Sequence, residues 1–339
     1  MIYKTLGKSG LRVSELCLGT MTFGTEWGYG ADKEEAQKEY NTFKDLGGNF
    51  IDTANLYTNG TSENFVGSFT QGHREEMVIA TKYSLKTGGN GPNAAGNSRK
   101  SMMESVEGSL KRLKTDYIDL FYLHAWDFLT PIDEIMRGLD DLVRQGKVLY
   151  LGISDTPAWI VSRANTTAEL MGWSRFIALQ VEYSLIQRTP ERELVPMANA
   201  LGLAITPWAP LAGGALSGKY LKPETAEGRV VPDSVRRNDR ATNITKVVVE
   251  IAKEKQCTPS QVALRWLLQK PETTIPIVGA RNAAQLSDSL QAYNIELSAS
   301  EIDRLNQVSA IELGFPHDFL AQERVRDILF NGYYEKIKN

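Results

Sequence analysis

Four polar residues stand where short apolar runs of the sequence end: Asp52, Tyr57, Lys82 and His124. Asp52 closes one run and Tyr57 follows it by five residues, whereas Lys82 and His124 end the next two runs. Apolar runs that stop abruptly at a polar residue are typical of the carboxyl ends of buried parallel strands. A carboxylate, a phenol, an ammonium and an imidazole that meet at one site can transfer a proton.

The chemistry that these four residues suit is proton transfer to a carbonyl oxygen, or from an alcohol. A free phenol has a pKa of about 10, too high for efficient proton transfer near neutrality. We expect the Lys82 ammonium to lower the pKa of Tyr57, and Asp52 to keep the lysine charged. His124 could orient a carbonyl oxygen while another group supplies a hydride. Taken singly, these residues could be a turn cap, a rim aromatic and a core histidine, but together they favour a catalytic site.

Alternating strand and helix patterns predict the scaffold that positions these residues. After a hairpin over residues 2–14, eight strands are predicted, each followed by helix, with the spacing of βαβ units. The strands span residues 15–20, 49–52, 77–82, 117–123, 148–153, 176–181, 203–206 and 274–278. The pattern indicates an α/β fold, a (β/α)8 TIM barrel with an N-terminal β-hairpin and long loops at the C-terminal mouth. A doubly wound sheet is the alternative, disfavoured because no G-x-G-x-x-G follows the first strand.

The domain prediction is a single barrel over residues 1–339. Its active site would lie at the carboxyl ends of the strands, where Asp52, Lys82 and His124 follow consecutive strands. The tail over residues 311–339 carries several aromatic side chains and is a candidate cover for the barrel mouth.

Composition narrows the class of protein and its partners. Of the 339 residues, 42% are hydrophobic and 23% charged, as in an ordinary globular protein, and the net charge of −3 argues against nucleic acid. Two cysteines, Cys17 and Cys257, make no disulfide framework and suit a reducing compartment, and no metal site is indicated. No signal peptide or run of roughly 20 apolar residues is present, so we expect a cytoplasmic protein without a membrane partner. The sequence does not indicate an oligomeric state.

The later strand ends predict a bound nucleotide. Ser154 and Asp155 end the fifth strand, Gln180 the sixth and Trp208 the seventh, which offers an aromatic face for stacking. Residues 279–281 follow the eighth strand and open a helix, where Arg281 and free backbone N–H groups would bind an anion. A packed tryptophan, a surface arginine and a capping serine are the structural alternatives.

Several motifs of the chain resemble the signature blocks of the aldo-keto reductases. These motifs are Asp52-Thr53-Ala54 with Tyr57, Gly60-Thr61-Ser62-Glu63, Ala80-Thr81-Lys82 and Leu123-His124. Residues 6–14 and Leu18-Gly19-Thr20 resemble the branch that includes bacterial reductases and potassium-channel β subunits. The resemblance extends over residues 2–310 and implies a barrel plugged by the hairpin, and reversible carbonyl reduction by NADPH. It also implies a catalytic tetrad of Asp52, Tyr57, Lys82 and His124.

The same resemblance implies a set of cofactor contacts. Ser154, Asp155 and Gln180 match contacts to the nicotinamide amide, Trp208 matches the stacking aromatic, and Asp52 belongs to the cofactor set as well. The pyrophosphate loop would comprise Trp208, Ala209, Pro210, Leu211, Ala212 and Gly213, followed by Ser217 and Lys219. Gly279, Arg281 and Gln285 match positions around the 2′-phosphate, and Gly19, Thr20 and Met21 match the loop beneath the cofactor.

Three departures from the family pattern are visible. Asp155 stands where many members have Asn, Met21 replaces a frequent Trp, and Asp288 with Ser289 replaces the Glu-Asn pair that binds adenine. Arg281 favours NADPH over NADH, because a 2′-phosphate accepts bidentate hydrogen bonds from a guanidinium.

The substrate would be a small carbonyl compound, an aldehyde or a ketone. Trp27, Tyr57, His124 and Trp126 are the candidate substrate contacts, although packing at the rim would also explain the two tryptophans. Two functions remain open: an NADPH-dependent aldehyde or ketone reductase with Tyr57 as general acid, and an NADPH-sensing regulatory subunit with slow turnover.

Overall fold

The computed structural model describes residues 1–86, 89–221, 230 and 234–337, and it contains two β-sheets. The ten strands are β1 Tyr3–Thr5, β2 Arg12–Ser14, β3 Cys17–Gly19, β4 Phe50–Asp52, β5 Val78–Tyr83, β6 Ile118–Leu123, β7 Val148–Ser154, β8 Phe176–Glu182, β9 Ala204–Trp208 and β10 Ile277–Val278. Strands β3 to β10 form one parallel sheet in the order β10-β3-β4-β5-β6-β7-β8-β9.

The two ends of this sheet meet at Ile205. Its N–H donates to the carbonyl of Thr273, and its carbonyl accepts from the N–H of Ile275, each at 2.8 Å. These bonds join β9 to the segment that leads into β10 and close the sheet into a barrel. The predicted (β/α)8 barrel is therefore confirmed, and the alternative of an open doubly wound sheet is wrong.

Helices surround the barrel and connect its strands. Their bounds are α1 Lys33–Asp45, α2 Thr61–Phe69, α3 Arg99–Leu113, α4 Ile132–Arg144, α5 Ala158–Met171, α6 Leu194–Leu201, α7 Asp239–Glu254, α8 Pro259–Leu268, α9 Ala283–Leu290, α10 Ala299–Val308, α11 His317–Leu320 and α12 Glu323–Phe330. Within the described residues, no helix is both long and apolar enough to cross a membrane.

The eighth barrel strand is shorter than the sequence predicts. A strand over 274–278 was expected, but β10 comprises only Ile277 and Val278. Pro276 has no N–H to donate to a neighbouring strand, although its carbonyl accepts from Cys17 at 3.0 Å. Residues 273–275, before the proline, pair with Ile205 of β9 instead of extending the pairing with β3.

The N-terminal hairpin packs against the amino ends of the barrel strands. Strands β1 and β2 pair in antiparallel register from Tyr3–Ser14 to Thr5–Arg12. At the turn, the N–H of Lys8 donates to the carbonyl of Gly202 at 2.8 Å. Gly7 has a φ of +58°, and a Cβ there would lie 2.3 Å from the carbonyl oxygen of Ile177. Glycine is needed because the backbone approaches this closely. The hairpin thus plugs the end of the barrel opposite the mouth.

The barrel interior changes from apolar to polar toward the mouth. Leu6, Val13, Phe50 and Val78 belong to a buried cluster at the hairpin end. Tyr122 lies higher in the barrel, where its hydroxyl hydrogen-bonds to Thr206 at 3.0 Å. A Cβ on Gly152 would lie 2.3 Å from the Tyr122 ring, so glycine leaves room for the phenol. The polar layer above Tyr122 is the candidate functional site.

The described part of the tail is anchored on the mouth side of the barrel. Arg192, in the segment between β8 and α6, donates to the carbonyl of Glu312 at 2.8 Å, and the neighbouring Glu193 contacts His317 at 3.0 Å. Neither α11 nor α12 contains a buried residue. Whether the tail covers the active site stays a prediction.

Candidate active site

The centre of the site is the ammonium of Lys82, which donates three hydrogen bonds. Lys82 Nζ lies 2.7 Å from Asp52 Oδ2, 2.8 Å from the carbonyl oxygen of Thr53 and 2.9 Å from the Tyr57 hydroxyl. An ammonium carries three protons, so each of them is directed at one acceptor. Lys82 is fully buried and Asp52 is 3% exposed. A buried charge this well partnered fixes the position of both neighbours.

The electrostatics of this cluster keep the lysine charged and the tyrosine protonated. Burial opposes the Lys82 ammonium, but Asp52 and Tyr57 outweigh it and raise the pKa of Lys82. Burial also raises the pKa of Tyr57, with Lys82 acting in the opposite direction and Asp52 adding to the rise. Lys82 lowers the pKa of Tyr57 as expected, but the pKa still lies above its ordinary value. The desolvation of the phenolate exceeds the stabilisation that the ammonium provides.

His124 lies beside the phenol of Tyr57, with ring centroids 6.0 Å apart and planes at 81°. Burial, with the charge of Lys82, lowers the pKa of His124 to about 3. Its Nδ1 is buried and has no hydrogen-bond partner in the described structure. The imidazole is therefore neutral at neutral pH and retains one N–H that can donate to a bound carbonyl.

Gln180 is buried inside the barrel, although it was predicted to contact the amide of a bound nicotinamide. It is 2% exposed, and its Nε2 donates to Asp52 Oδ1 at 2.8 Å. The amide thereby completes the hydrogen bonding of the buried carboxylate, whose other oxygen accepts from Lys82. A side chain predicted to contact a cofactor amide thus already has a partner in the cluster around Lys82.

Around the end of β7, one polar atom is left without a partner. Ser154 is 1% exposed, and its hydroxyl has no hydrogen-bond partner among the described residues. Next to it, Asp155 accepts from the indole N–H of Trp208 at 3.1 Å, and burial raises the pKa of its carboxyl. A buried hydroxyl without a partner beside an oriented indole fits a ligand with an amide and a flat ring. The predicted nicotinamide site is compatible with this geometry.

The segment predicted to bind pyrophosphate forms a series of tight turns. Ala209, Ala212, Gly213, Gly214 and Gly218 have positive φ angles of 49°, 50°, 68°, 90° and 83°. Alternation of right-handed and left-handed backbone turns successive N–H groups toward one side, which is a common anion-binding arrangement. Ser217 donates to the carbonyl of Gly214 at 2.7 Å. The segment also contains the predicted residues Pro210, Leu211 and Lys219.

At the start of α9 the exposed residues Arg281 and Gln285 lie together. The backbone N–H of Arg281 donates to Gln285 Oε1 at 3.3 Å, and Asn282 caps the helix by accepting from the N–H of Gln285. The predicted adenine contact Asp288 is used differently. Its two carboxylate oxygens accept from Thr258 and Gln261, each at 2.9 Å, and so hold the first turn of α8.

Beneath the predicted cofactor site, the end of β3 packs tightly against the end of β10. A Cβ on Gly279 would lie 3.2 Å from the carbonyl of Gly19. Thr20 is fully buried, with its hydroxyl donating to the carbonyl of Asp52 at 3.0 Å. Met21 is half-buried at the surface of the same loop.

Two of the predicted substrate contacts are tryptophans, one near Tyr57 and the other near Asp155. Trp27 packs edge-on against Tyr57, with centroids 6.5 Å apart, and also contacts Tyr29. The backbone N–H of Trp126 donates to the carbonyl of Asp155 at 3.4 Å. An aromatic wall therefore lies beside the phenol.

Arg236 lies near the site although no sequence motif pointed to it. Its guanidinium donates to Glu182 at 2.5 Å, and it lines a cavity of about 150 Å³ together with Arg237, Tyr220 and Ala215. The cavity adjoins the turns predicted to bind pyrophosphate. Glu182 lies two residues after Gln180 on β8, so the two side chains point to the same side of the strand. That spacing was the available sequence signal for a polar contact at Glu182.

Similarity to known sequences identifies the family of the chain. The model of the aldo/keto reductase family matches residues 15–310, and the chain belongs to that family. The chain is 40% identical to an aryl-alcohol dehydrogenase of Pestalotiopsis microspora, covering 92% of this chain and 83% of that protein. It is also 40% identical to the aryl-alcohol dehydrogenase of Phanerodontia chrysosporium named for NADP(+), covering 96% and 91%. A norsolorinic acid reductase of Emericella nidulans is 38% identical over 93% and 83% of the two chains.

Proposed function

We propose that this chain is an NADPH-dependent reductase of aldehydes or ketones, with Tyr57 as the general acid. Lys82 carries the proposal, because its buried ammonium lies 2.9 Å from the Tyr57 hydroxyl and 2.7 Å from Asp52. When bound, the reduced nicotinamide would supply the hydride.

The residues of the site would manage the proton. Because the pKa of Tyr57 is raised, the phenol carries its proton at neutral pH and can donate it to the carbonyl oxygen. Lys82 stabilises the phenolate as it forms, and Asp52 balances the lysine charge. The neutral imidazole of His124 orients the carbonyl oxygen by donating its N–H.

Four groups of residues would hold the cofactor. The Ser154 hydroxyl, which has no partner among the described residues, would bind the nicotinamide amide, and Trp208, oriented by Asp155, would stack on the ring. The turns over residues 209–219 would bind pyrophosphate, and Arg281 with Gln285 would bind the 2′-phosphate. Preference for NADPH over NADH follows from Arg281 and is supported by the relative that is named for NADP(+).

For the substrate we propose an aromatic aldehyde. Trp27 provides an aromatic face next to Tyr57, and two of the relatives are named aryl-alcohol dehydrogenases. Edge-to-face contacts between aromatic rings favour aryl substrates over alkyl substrates of similar size by about 0.5–1.5 kcal/mol.

The test measures NADPH and NADH oxidation with benzaldehyde and with an aliphatic aldehyde in the wild type, Tyr57→Phe and Tyr333→Phe. Tyr57→Phe should lower kcat by about 100-fold or more while the Kd for NADPH stays unchanged, because only the acid is removed. Tyr333→Phe, in the exposed tail, should behave as wild type. Full activity of Tyr57→Phe would disprove the mechanism.

The relatives are named as dehydrogenases and reductases, which does not favour a regulatory subunit. Tight NADPH binding with no turnover across a broad panel of carbonyl compounds would reverse that judgement.

A further inference from the structure

The backbone directly after Tyr57 has an unusual conformation. Thr58 has φ 46° and ψ 44°, and Asn59 has φ 56° and ψ 31°, so both are left-handed, and Gly60 follows with φ 93°. Glycine and asparagine adopt this region readily, whereas a β-branched residue such as threonine rarely does. A threonine that is held in this conformation next to a proposed catalytic residue requires compensating interactions.

Those interactions come from the Thr58 hydroxyl. It donates to the carbonyl of Phe23 at 2.6 Å and accepts from the backbone N–H of Ser62 at 3.1 Å. Thr58 is fully buried, so no water competes for these bonds. The hydroxyl therefore fastens the turn to the loop after β3 on one side and to the first turn of α2 on the other.

The contacts continue into a buried hydroxyl cluster, which we define as Thr20, Thr53, Thr58 and Ser62. Ser62 Oγ lies 2.7 Å from the Thr20 hydroxyl and 2.8 Å from the Thr53 hydroxyl, and it also contacts the carbonyl of Thr20 at 2.8 Å. All four side chains are fully buried. Through this cluster, the turn that carries Tyr57 is tied to the ends of β3 and β4.

The backbone at Gly24 packs closely against the side chain of Thr58. A Cβ on Gly24 would lie 2.8 Å from both Cβ and Oγ1 of Thr58, and Gly24 itself has φ 115°. The loop that contains Trp27 therefore approaches the turn as closely as a glycine permits. The loop and the turn are therefore in direct van der Waals contact at Gly24 and Thr58.

We propose that Thr58 is a positioning residue: its hydroxyl holds the left-handed turn so that the Tyr57 hydroxyl stays within hydrogen-bond distance of Lys82. The sequence places no functional motif on Thr58, and the residue does not contact the reacting atoms. Its kinetic consequence rests on the proposed function, but its structural consequence is the 2.9 Å contact between Lys82 and Tyr57.

Loss of the contact would change the ionisation of Tyr57 in a specific direction. The charged and titratable groups around the phenol are Lys82 on β5, Asp52 on β4, His124 after β6 and Asp155 after β7. Of these, Lys82 lowers the pKa of Tyr57, whereas Asp52 and Asp155 raise it. Burial is the largest cause of the raised pKa of Tyr57, so a phenol that loses Lys82 but stays buried must titrate at higher pH.

The experiment compares Thr58→Val, Thr58→Ala, Thr58→Ser and Asn59→Gly. Valine keeps the shape of threonine without its hydroxyl. Alanine also lacks the hydroxyl and, because it is not β-branched, is less strained in the left-handed region, so it serves if the valine variant does not fold. Serine retains the hydroxyl and should rescue. Asn59→Gly relaxes the adjacent left-handed residue without touching the hydroxyl, and serves as the matched control.

Two readouts are needed. The first is kcat for aldehyde reduction with the Kd for NADPH, where loss of the hydroxyl should lower kcat about 10- to 100-fold with Kd unchanged. The second is phenol ionisation in the protein without cofactor, followed by ultraviolet difference spectra between each variant and its Tyr57→Phe counterpart. In Thr58→Val and Thr58→Ala the Tyr57 titration should move to higher pH, whereas Thr58→Ser and Asn59→Gly should match the wild type.

An unshifted Tyr57 titration in a folded Thr58→Ala protein would overturn the proposal, as would an equal shift in Asn59→Gly. Failure of the proposed function gives a different result, because the wild type would then reduce no aldehyde while the spectroscopic comparison still reads the position of Tyr57.

Discussion

Gln180 on β8 donates its side-chain N–H to Asp52 on β4 across the barrel, with 2.8 Å between Nε2 and Oδ1. Asp52 Oδ2 accepts from Lys82 at 2.7 Å, so each carboxylate oxygen has a buried donor. The proposed catalytic cluster is therefore held from two sides of the barrel, although the two residues are 128 positions apart in the chain.

We predict that Gln180→Met destabilises the protein by about 1–3 kcal/mol, because Asp52 Oδ1 would be left buried without a donor. Urea unfolding measures the change, and Gln145→Met, at an exposed position after α4, is the control. Combination with Asp52→Asn should reduce the cost of Gln180→Met, since the buried charge is then absent. Simple additivity of the two substitutions would contradict the coupling.

The pH dependence of aldehyde reduction should show no contribution from His124 near its ordinary pKa of about 6.5. Its pKa is lowered to about 3 by burial and by Lys82, so the imidazole stays neutral down to that pH. Nitrogen-15 NMR of labelled histidine, with His124→Asn to assign the signal, would follow its protonation directly. A His124 signal that titrates near neutrality would show this expectation to be wrong.

Glu39→Gln should stabilise the protein at neutral and alkaline pH. Glu39 is fully buried on α1, and neither carboxylate oxygen has a hydrogen-bond partner among the described residues. Burial, with the charge of Glu35, raises its pKa from 4.5 to about 7. Between these values the unfolded chain loses the proton that the folded protein keeps, so stability falls as pH rises through this window.

The gain from Glu39→Gln should therefore be on the order of 1–3 kcal/mol at pH 8 and close to zero at pH 4. Urea unfolding at both pH values measures it, with the exposed Glu34→Gln as the control. A gain that is equal at both pH values would exclude ionisation as its cause.

Glu35→Gln should tighten NADPH more than NADH. Glu35 Oε1 accepts from the N–H of Ala283 at 2.8 Å, which places a carboxylate at the start of α9 beside the proposed 2′-phosphate site. Removing that charge lessens repulsion of the phosphate while glutamine keeps an acceptor for Ala283. We expect about a two- to fivefold lower Kd for NADPH at low salt, shrinking as ionic strength rises.

Isothermal titration with both nucleotides would measure this change, and Glu34→Gln in the same helical turn is the control. Equal tightening of NADPH and NADH would locate the effect away from the 2′-phosphate.

Much of the architecture follows from local patterns that the sequence carries. Residues such as Asp52 and Lys82 end apolar strand runs, and parallel strands of a barrel bring such ends together. The turn over residues 7–10 also predicted the hairpin, whereas its position as a plug of the barrel was implied only by the family resemblance. By contrast, Gln180 donates to Asp52 across the barrel, and Asp288 accepts from residues at the start of another helix. Local patterns could not predict these hydrogen bonds, because the partners are distant in the chain.

The ionisation of Tyr57 could not be predicted either, because its direction depends on a balance. Lys82 lowers the pKa, but the degree of burial, which only the folded structure defines, raises it by more. The catalytic and cofactor assignments themselves stay proposals.

The closure of the barrel at Ile205 has a consequence for ligand binding. The eighth strand has only two residues, and the proposed 2′-phosphate residues Arg281 and Gln285 follow it directly, whereas Ser154 and Gln180 lie on strands before the seam. A dinucleotide that binds both groups would connect the two sides of the junction at which the barrel closes. The amides of residues 273–275, 277 and 278 should then exchange hydrogen more slowly when the cofactor is present, because opening the junction would also break contacts to the dinucleotide.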